Sequence, residues 1–276
     1  MNKHRHLPAL LIAGAALSSL VILAAACSFI WTPYDPTAMH PTQRLQGITA
    51  QHWLGTDKFG RDVFSQILVG ARTTLTVGIS SVAISALVGV PLGILAAMGP
   101  RPISTTLLRA ADILLAFPAL LLAIMLGAIF GSSTLTAVTA IGLAGIPTFL
   151  RITRANALRI LTSDYIAAAQ LAGRSPWSIA YTHIWPGIRG TIIIQCSVAF
   201  AMAILAEAAL SFLGLGTPPP QPSWGRMLQE GQEFLYSHAG LALIPGTAIA
   251  TAVLGFNLLG DGLRDLTDPR LRGRHR

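Results

Sequence analysis

Charge is scarce in this sequence. Only 11% of its 276 residues are Asp, Glu, Lys or Arg, against about 25% in a soluble globular domain. A chain this poor in charge cannot clothe a water-facing surface, which excludes an ordinary soluble enzyme or binding domain. Lysine is almost missing. Lys3 and Lys58 are the only two, and neither follows a GxxxxGK[ST] run, so the chain has no phosphate-cradling loop with which to hydrolyse ATP. The two cysteines, Cys27 and Cys196, lie in or beside apolar runs. They form neither a disulfide framework nor a zinc spacing and read as small buried hydrophobes. No HExxH and no His/Cys cluster is present, which removes the metalloenzyme readings. GISS at 78–81 loosely resembles a serine nucleophile motif, but no histidine lies deep in an apolar run; His238 comes nearest. An intramembrane protease would lack its base. The net charge of +8 is spread in short segments between apolar runs. That is unlike the basic face of a nucleic-acid reader, so no nucleic-acid partner is expected.

What the sequence has is long greasy stretches. Hydrophobic residues make up 53% of it. A spanning helix needs about 20 mostly apolar residues, and six runs qualify or nearly do: 7–30, 73–98, 103–130, a shorter 135–150, 188–215 and 239–259. The reading is therefore an all-α polytopic membrane protein with six transmembrane helices. Pro91, Pro118, Pro147 and Pro245 fall in or near these runs; membrane helices tolerate such breaks where neighbours satisfy the freed carbonyls. The first run exceeds the 7–15 residues of a signal-peptide core and is expected to stay as a helix. Alternate loops divide the basic residues unequally. Fourteen Lys and Arg fall on the side of both termini and five on the other. The excess predicts cytoplasmic termini.

The polar interruption SDYIAAAQLAGRSPWSIAYTHIWP at 163–186 then lies on the cytoplasmic side. It reads as two helices and a hinge. Ser163 is placed as an N-cap, with Asp164 at the positive end of the helix. Ala167, Ala168, Ala169 and Ala172 give that helix little bulk, and Gly173 stands where a left-handed residue ends it. Ser175 and Pro176 restart a second helix, on which Trp177, Ala180, Tyr181 and Ile184 share a face, and Pro186 closes the stretch. Such a segment is either a capping linker or a docking helix for a cytoplasmic partner.

The frame Ala167-Ala168-Ala169, Gly173, Ile184-Trp185-Pro186 resembles the EAA loop of bacterial ABC importer permeases. Four further blocks resemble the peptide/nickel branch, in particular its second permease subunit: HWLGTDKFGRDVFSQILVGAR (52–72), RAADILLAFPALLLAI (109–124), EAALSFLGLGTPPPQPSWGRML (207–228) and FNLLGDGLRDLTDPRLR (256–272). The frame departs from the family at two places. Ala167 stands where an acidic residue is usual, and Trp185 where leucine is usual. Asp164, one turn earlier, is the candidate substitute for the acid.

The resemblance implies a type I ABC importer permease fold and a bacterial inner-membrane location. It implies a heterodimer with a homologous permease, two separate ATPase subunits carrying ATP and magnesium, and an extracytoplasmic substrate-binding protein. No cofactor belongs to this chain itself. Peptides are the first expectation for cargo; nickel chelates, haem and glutathione are alternatives. The ATPase-docking set is Asp164, Ala167, Ala168, Ala169, Gly173, Ser175, Ile184 and Pro186. The domain plan has a first helix to residue 30 and an outer loop with an interfacial amphipathic helix over 31–72. A core follows over 73–260, holding the docking loop at 162–186, and a basic tail over 261–276 faces lipid.

Other residues carry two readings each. Glu207, inside a span, is either a pathway or gating residue or one end of a helix–helix hydrogen bond. Arg109 and Asp112 are either an ion pair at the cytoplasmic interface or a solvated helix end. Trp53, Asp57, Arg61 and Trp224 lie in outer loops as candidate binding-protein contacts, and Trp53 and Phe59 as headgroup anchors. A secondary carrier is the rival transport class, but the inverted repeats common in those folds are not visible.

Overall fold

The computed structural model describes residues 6–267. The basic ends, with Lys3, Arg5, Arg270, Arg272, Arg274 and Arg276, lie outside them. Ten α-helices make up the described fold: α1 (His6–Ile30), α2 (Val63–Met98), α3 (Arg101–Ala116), α4 (Ala119–Phe130), α5 (Thr134–Leu161), α6 (Asp164–Leu171), α7 (Pro176–Ile179), α8 (Trp185–Phe212), α9 (Trp224–Gln232) and α10 (Gly240–Thr267). Five helical stretches are long and apolar enough to cross a membrane, and a sixth span results if α3 and α4 are one broken crossing. The expected six-pass, all-α architecture stands. Its outer surface carries large apolar side chains such as Ile12, Leu23, Phe29, Leu87 and Ile129, as a protein dissolved in lipid requires.

Local sequence sets the helix starts. Asp62 caps α2 by accepting from the Ser65 amide at 2.7 Å. Ser133 caps α5 through Thr136 at 3.0 Å, and Ser223 caps α9 through Arg226 at 3.3 Å. Each satisfies an amide that the first helical turn leaves without a partner.

Three boundaries differ from expectation. No separate interfacial helix precedes the second span: residues after Asp62 are already the first turns of α2, which runs 36 residues without interruption. The run at 103–130 is broken. Its halves meet at Phe117–Pro118 and bend by 83°, at a position where Pro118 removes one amide from the ladder. The short fourth run belongs to a helix of 28 residues that carries Arg151, Arg154 and Arg159 beyond its apolar part. Pro91, Pro147 and Pro245, by contrast, sit inside continuous helices.

Helix α2 lies between α5 and α8; α10 packs on α1, α8 and α9; and α4 rests on α5. The α2–α5 contact is close because small residues line it. A Cβ on Gly145 would fall 2.2 Å from Ser85 Oγ, and one on Gly89 would fall 2.6 Å from Phe149 Cβ. In lipid, helices associate through such close packing rather than through exclusion of water. Gly145→Val is therefore expected to lower the melting temperature of the detergent-purified protein by about 5 °C or more. Gly47→Ala, whose Cβ would meet nothing within 4 Å, leaves it unchanged.

Candidate functional site

Helix α6 projects from the end of the bundle opposite the 31–62 loop. Its N-terminus departs from the expected cap: the Ser163 hydroxyl donates back to the Ile160 carbonyl at 2.5 Å and accepts no helix amide. Its C-terminus closes as predicted. Gly173 has φ +73°, its amide donates to Gln170 O at 3.0 Å, and the Arg174 amide reaches Ala169 O at 3.1 Å. This paired closure needs a left-handed residue at that position, and glycine adopts it without strain. Ser175 then caps α7 through the Ser178 amide at 3.3 Å.

The face of α6 turned inward is held by Ile166, which is fully buried in the main core, with Ala169 packed beside it. The outward face presents Asp164, Tyr165, Ala167, Ala168 and Leu171. Leu171 is 90% exposed, unusual for a leucine at a polar end of a membrane protein. Leu171 is not among the residues expected from the sequence to form the docking set. Its signal was its place between the alanine face and the glycine closure.

The expected stop at Pro186 is absent. A π-helical turn over Ala180–Ile184 joins α7 directly to α8, giving one continuous stretch of 37 residues. Pro186 has no amide to donate and sits exposed in the first turn of α8. The π turn also splits the predicted common face. Ala180 and Ile184 are buried, while Trp177 and Tyr181 are each 77% exposed. The Tyr165 and His183 rings, 5.8 Å apart, link α6 to this turn. Of the residues expected to form a docking set, Asp164, Ala167, Ala168, Gly173, Ser175 and Pro186 are exposed, Ala169 is half-buried and Ile184 is buried.

At the other end of the bundle, the loop before α2 is a folded clasp. Asp57 Oδ1 accepts the amides of Phe59 at 2.8 Å and Arg61 at 2.9 Å. Arg61 Nε donates to Asp57 Oδ2, and its Nη2 to Glu230 Oε2, both at 2.6 Å. Gln66 reaches Asp57 at 3.0 Å and Arg226 reaches Glu230 at 3.0 Å. His52 and Asp62 pair at 2.9 Å, both nearly inaccessible. Asp57 and Arg61 are therefore buried in a network that ties the loop to α9; they are not exposed contacts. Trp224 is likewise 2% exposed, with its indole donating to Ile67 O at 3.0 Å. Each of these polar groups is buried because its partner is buried with it. Of the four candidate outer contacts only Trp53 is exposed, its ring against Trp31 and Phe64. Phe59 is half-buried, its ring under Arg61 at 4.9 Å.

Glu207 has no exposed surface. Its Oε1 accepts from the Ser211 hydroxyl at 2.7 Å. Ser211 lies on the same helix, one turn on, and Glu207 Oε2 is buried with no hydrogen-bond partner among the described residues. Asp112 pairs with Arg151, joining α3 to α5, rather than with Arg109 on its own helix. Arg109 is exposed, and the Asp112–Arg151 pair is half-exposed. Both cysteines are half-exposed rather than buried.

Between α2, α4, α5 and α8, midway along the bundle, lies an open cavity of about 380 Å³. Ser81, Ser85, Ala119, Gly145, Phe149 and Gln195 are among its lining residues, and no ionisable side chain is.

A multi-pass bundle with a neutral cavity between its spans and a short helix exposed at one end has the architecture of a membrane transporter subunit. Residues 89–273 match the family described as binding-protein-dependent transport system inner membrane component, and the chain belongs to it. It is 41% identical to the dipeptide transport system permease protein DppC of Alkalihalophilus pseudofirmus over 95% of this chain and 86% of that one. It is also 41% identical to the glutathione transport system permease protein GsiD of Pectobacterium atrosepticum, covering 93% of this chain and 87% of the relative. Among solved structures, a chain of the MetNI methionine ABC transporter in inward-facing conformations shares the fold. The TM-score is 0.61 at 17% identity, over 74% of this chain and 97% of that one.

Proposed function

We propose that this permease forms, with a homologous permease subunit, the path by which peptides enter the cell, and that two separate ATPase subunits drive it through α6. The exposed face of α6 carries this reading: an apolar tip at Leu171 is held on a helix anchored by the buried Ile166. A rigid helix fixed to the core on one side can transmit force applied to the other. The excess of Lys and Arg on this side of the chain supports a cytoplasmic α6 and cytoplasmic termini. ATP and magnesium belong on the ATPases. A binding protein delivers cargo to the opposite end, where Trp53 is exposed. The dipeptide and glutathione transporters among its relatives support short peptides as cargo, glutathione being itself a modified tripeptide.

The deciding experiment uses the four-subunit complex in proteoliposomes with its binding protein. Labelled di- and tripeptides are expected to accumulate only with ATP, binding protein and ATPases all present. Peptide movement through the two permeases alone would favour a secondary carrier and overturn the assignment.

A further inference from the structure

Two polar side chains on the wall of the mid-bundle cavity, Thr148 and Gln195, make no hydrogen bond to any described residue, and Gln195 is the one that carries an amide. Two hydroxyls on its wall are committed to the bundle: Ser81 donates to Val138 O at 3.2 Å, and Ser85 lies 2.8 Å from Gly142 O and 3.0 Å from Ser81 O. Gln195 is different. It sits midway along α8 in the run TIIIQCSVAF, half-buried and on the cavity wall. Its side-chain amide makes no hydrogen bond to any described residue. A primary amide carries two donors and an acceptor. Placing it unpaired in an apolar span costs free energy that a leucine would not.

The chemistry that best answers a primary amide is another amide. We propose that Gln195 hydrogen-bonds the main-chain peptide group of the cargo as it crosses the cavity; this rests on the peptide reading above. The rest of the wall fits that role. Small residues such as Ala144, Gly145, Ala199 and Ala203 leave room for side chains of different size. The lack of ionisable groups means that charged cargo side chains meet neither a fixed attraction nor a fixed repulsion. Every peptide carries a main-chain amide between its charged termini, and Gln195 on the cavity wall has the donors and acceptor to pair with it.

The test compares Gln195→Leu with the unaltered permease in the full complex, using a dipeptide and its analogue methylated at the peptide nitrogen. Both complexes are supplied with the same saturated binding protein. The unaltered complex is expected to move the methylated analogue about 10-fold more slowly than the parent, the loss of roughly one hydrogen bond. Gln195→Leu is expected to move the parent about 10-fold more slowly and to lose most of the discrimination, with the complex assembled in normal yield. Equal discrimination in both complexes would overturn the inference. So would failure of Gln195→Leu to assemble, which would place the amide at the contact between permeases. If the unaltered complex moves no peptide, the cargo assignment itself falls. If it does and Gln195→Leu matches it, only the role of Gln195 falls.

Discussion

Leu171→Glu is expected to reduce the affinity between the permease and its ATPase subunits by about 30-fold or more, while the permease still inserts and folds. Leu171 is 90% exposed at the end of α6, so changing it removes almost no contact within the chain. Covering a leucine contributes about 2 kcal/mol, equivalent to roughly 30-fold in a dissociation constant. A glutamate in its place must also be desolvated in the contact. The measurement is the ATPase that copurifies with the tagged permease, read beside its melting temperature. Leu171→Met should retain binding, because it keeps the apolar volume. Asp164→Asn tests the suggested acid substitute. Asp164 is exposed, and its loss should weaken binding only about fivefold, as for a single exposed ion pair. Normal ATPase content in the Leu171→Glu complex would mean that α6 is not the docking helix.

The second large effect concerns the clasp. Arg61→Ala leaves Asp57 and Glu230 facing each other without the cation between them. The Arg61 side chain is 8% exposed, Asp57 12% and Glu230 13%. Removing one partner from a buried ion network costs about 3–5 kcal/mol, so the melting temperature should fall by about 10 °C. The double variant Arg61→Met, Asp57→Asn should recover much of that loss, because Glu230 keeps its pair with Arg226 at 3.0 Å and no buried carboxylate is left without a partner. A melting temperature within about 2 °C of the unaltered protein in Arg61→Ala would show the network to behave as a set of solvated surface pairs. The expected loss would also explain why a loop with the composition of a binding surface lies folded under α9.

Several elements were legible because their causes are local. The apolar runs, the Gly173 closure and the Ser175 cap depend on residues within one or two turns. The middle of the run at 103–130 was less legible. Pro118 marks a break, yet Pro91 and Pro147 mark none, since neighbouring helices decide how far a proline-containing helix bends. The π turn over Ala180–Ile184 has no local signal either. No residue type encodes it, and it appears where α7 must join α8 in line around Pro186.

The burial of Asp57, Arg61 and Trp224 was illegible for a different reason. Asp57 and Arg61 look solvated when read singly, because charge predicts exposure. Their partner Glu230 lies 169 residues from Arg61, a distance over which no pattern in the chain operates. Trp224 likewise finds its acceptor at Ile67, 157 residues away. Hydropathy and capping act over a few residues, so the order of residues alone determined that this chain crosses a membrane repeatedly and offers a short alanine-rich helix at one end. Which charges are buried, which faces stay open and which amide faces the cavity were decided only when distant helices packed together. Burial and pairing are properties of the space between elements, and that space exists only in the folded bundle.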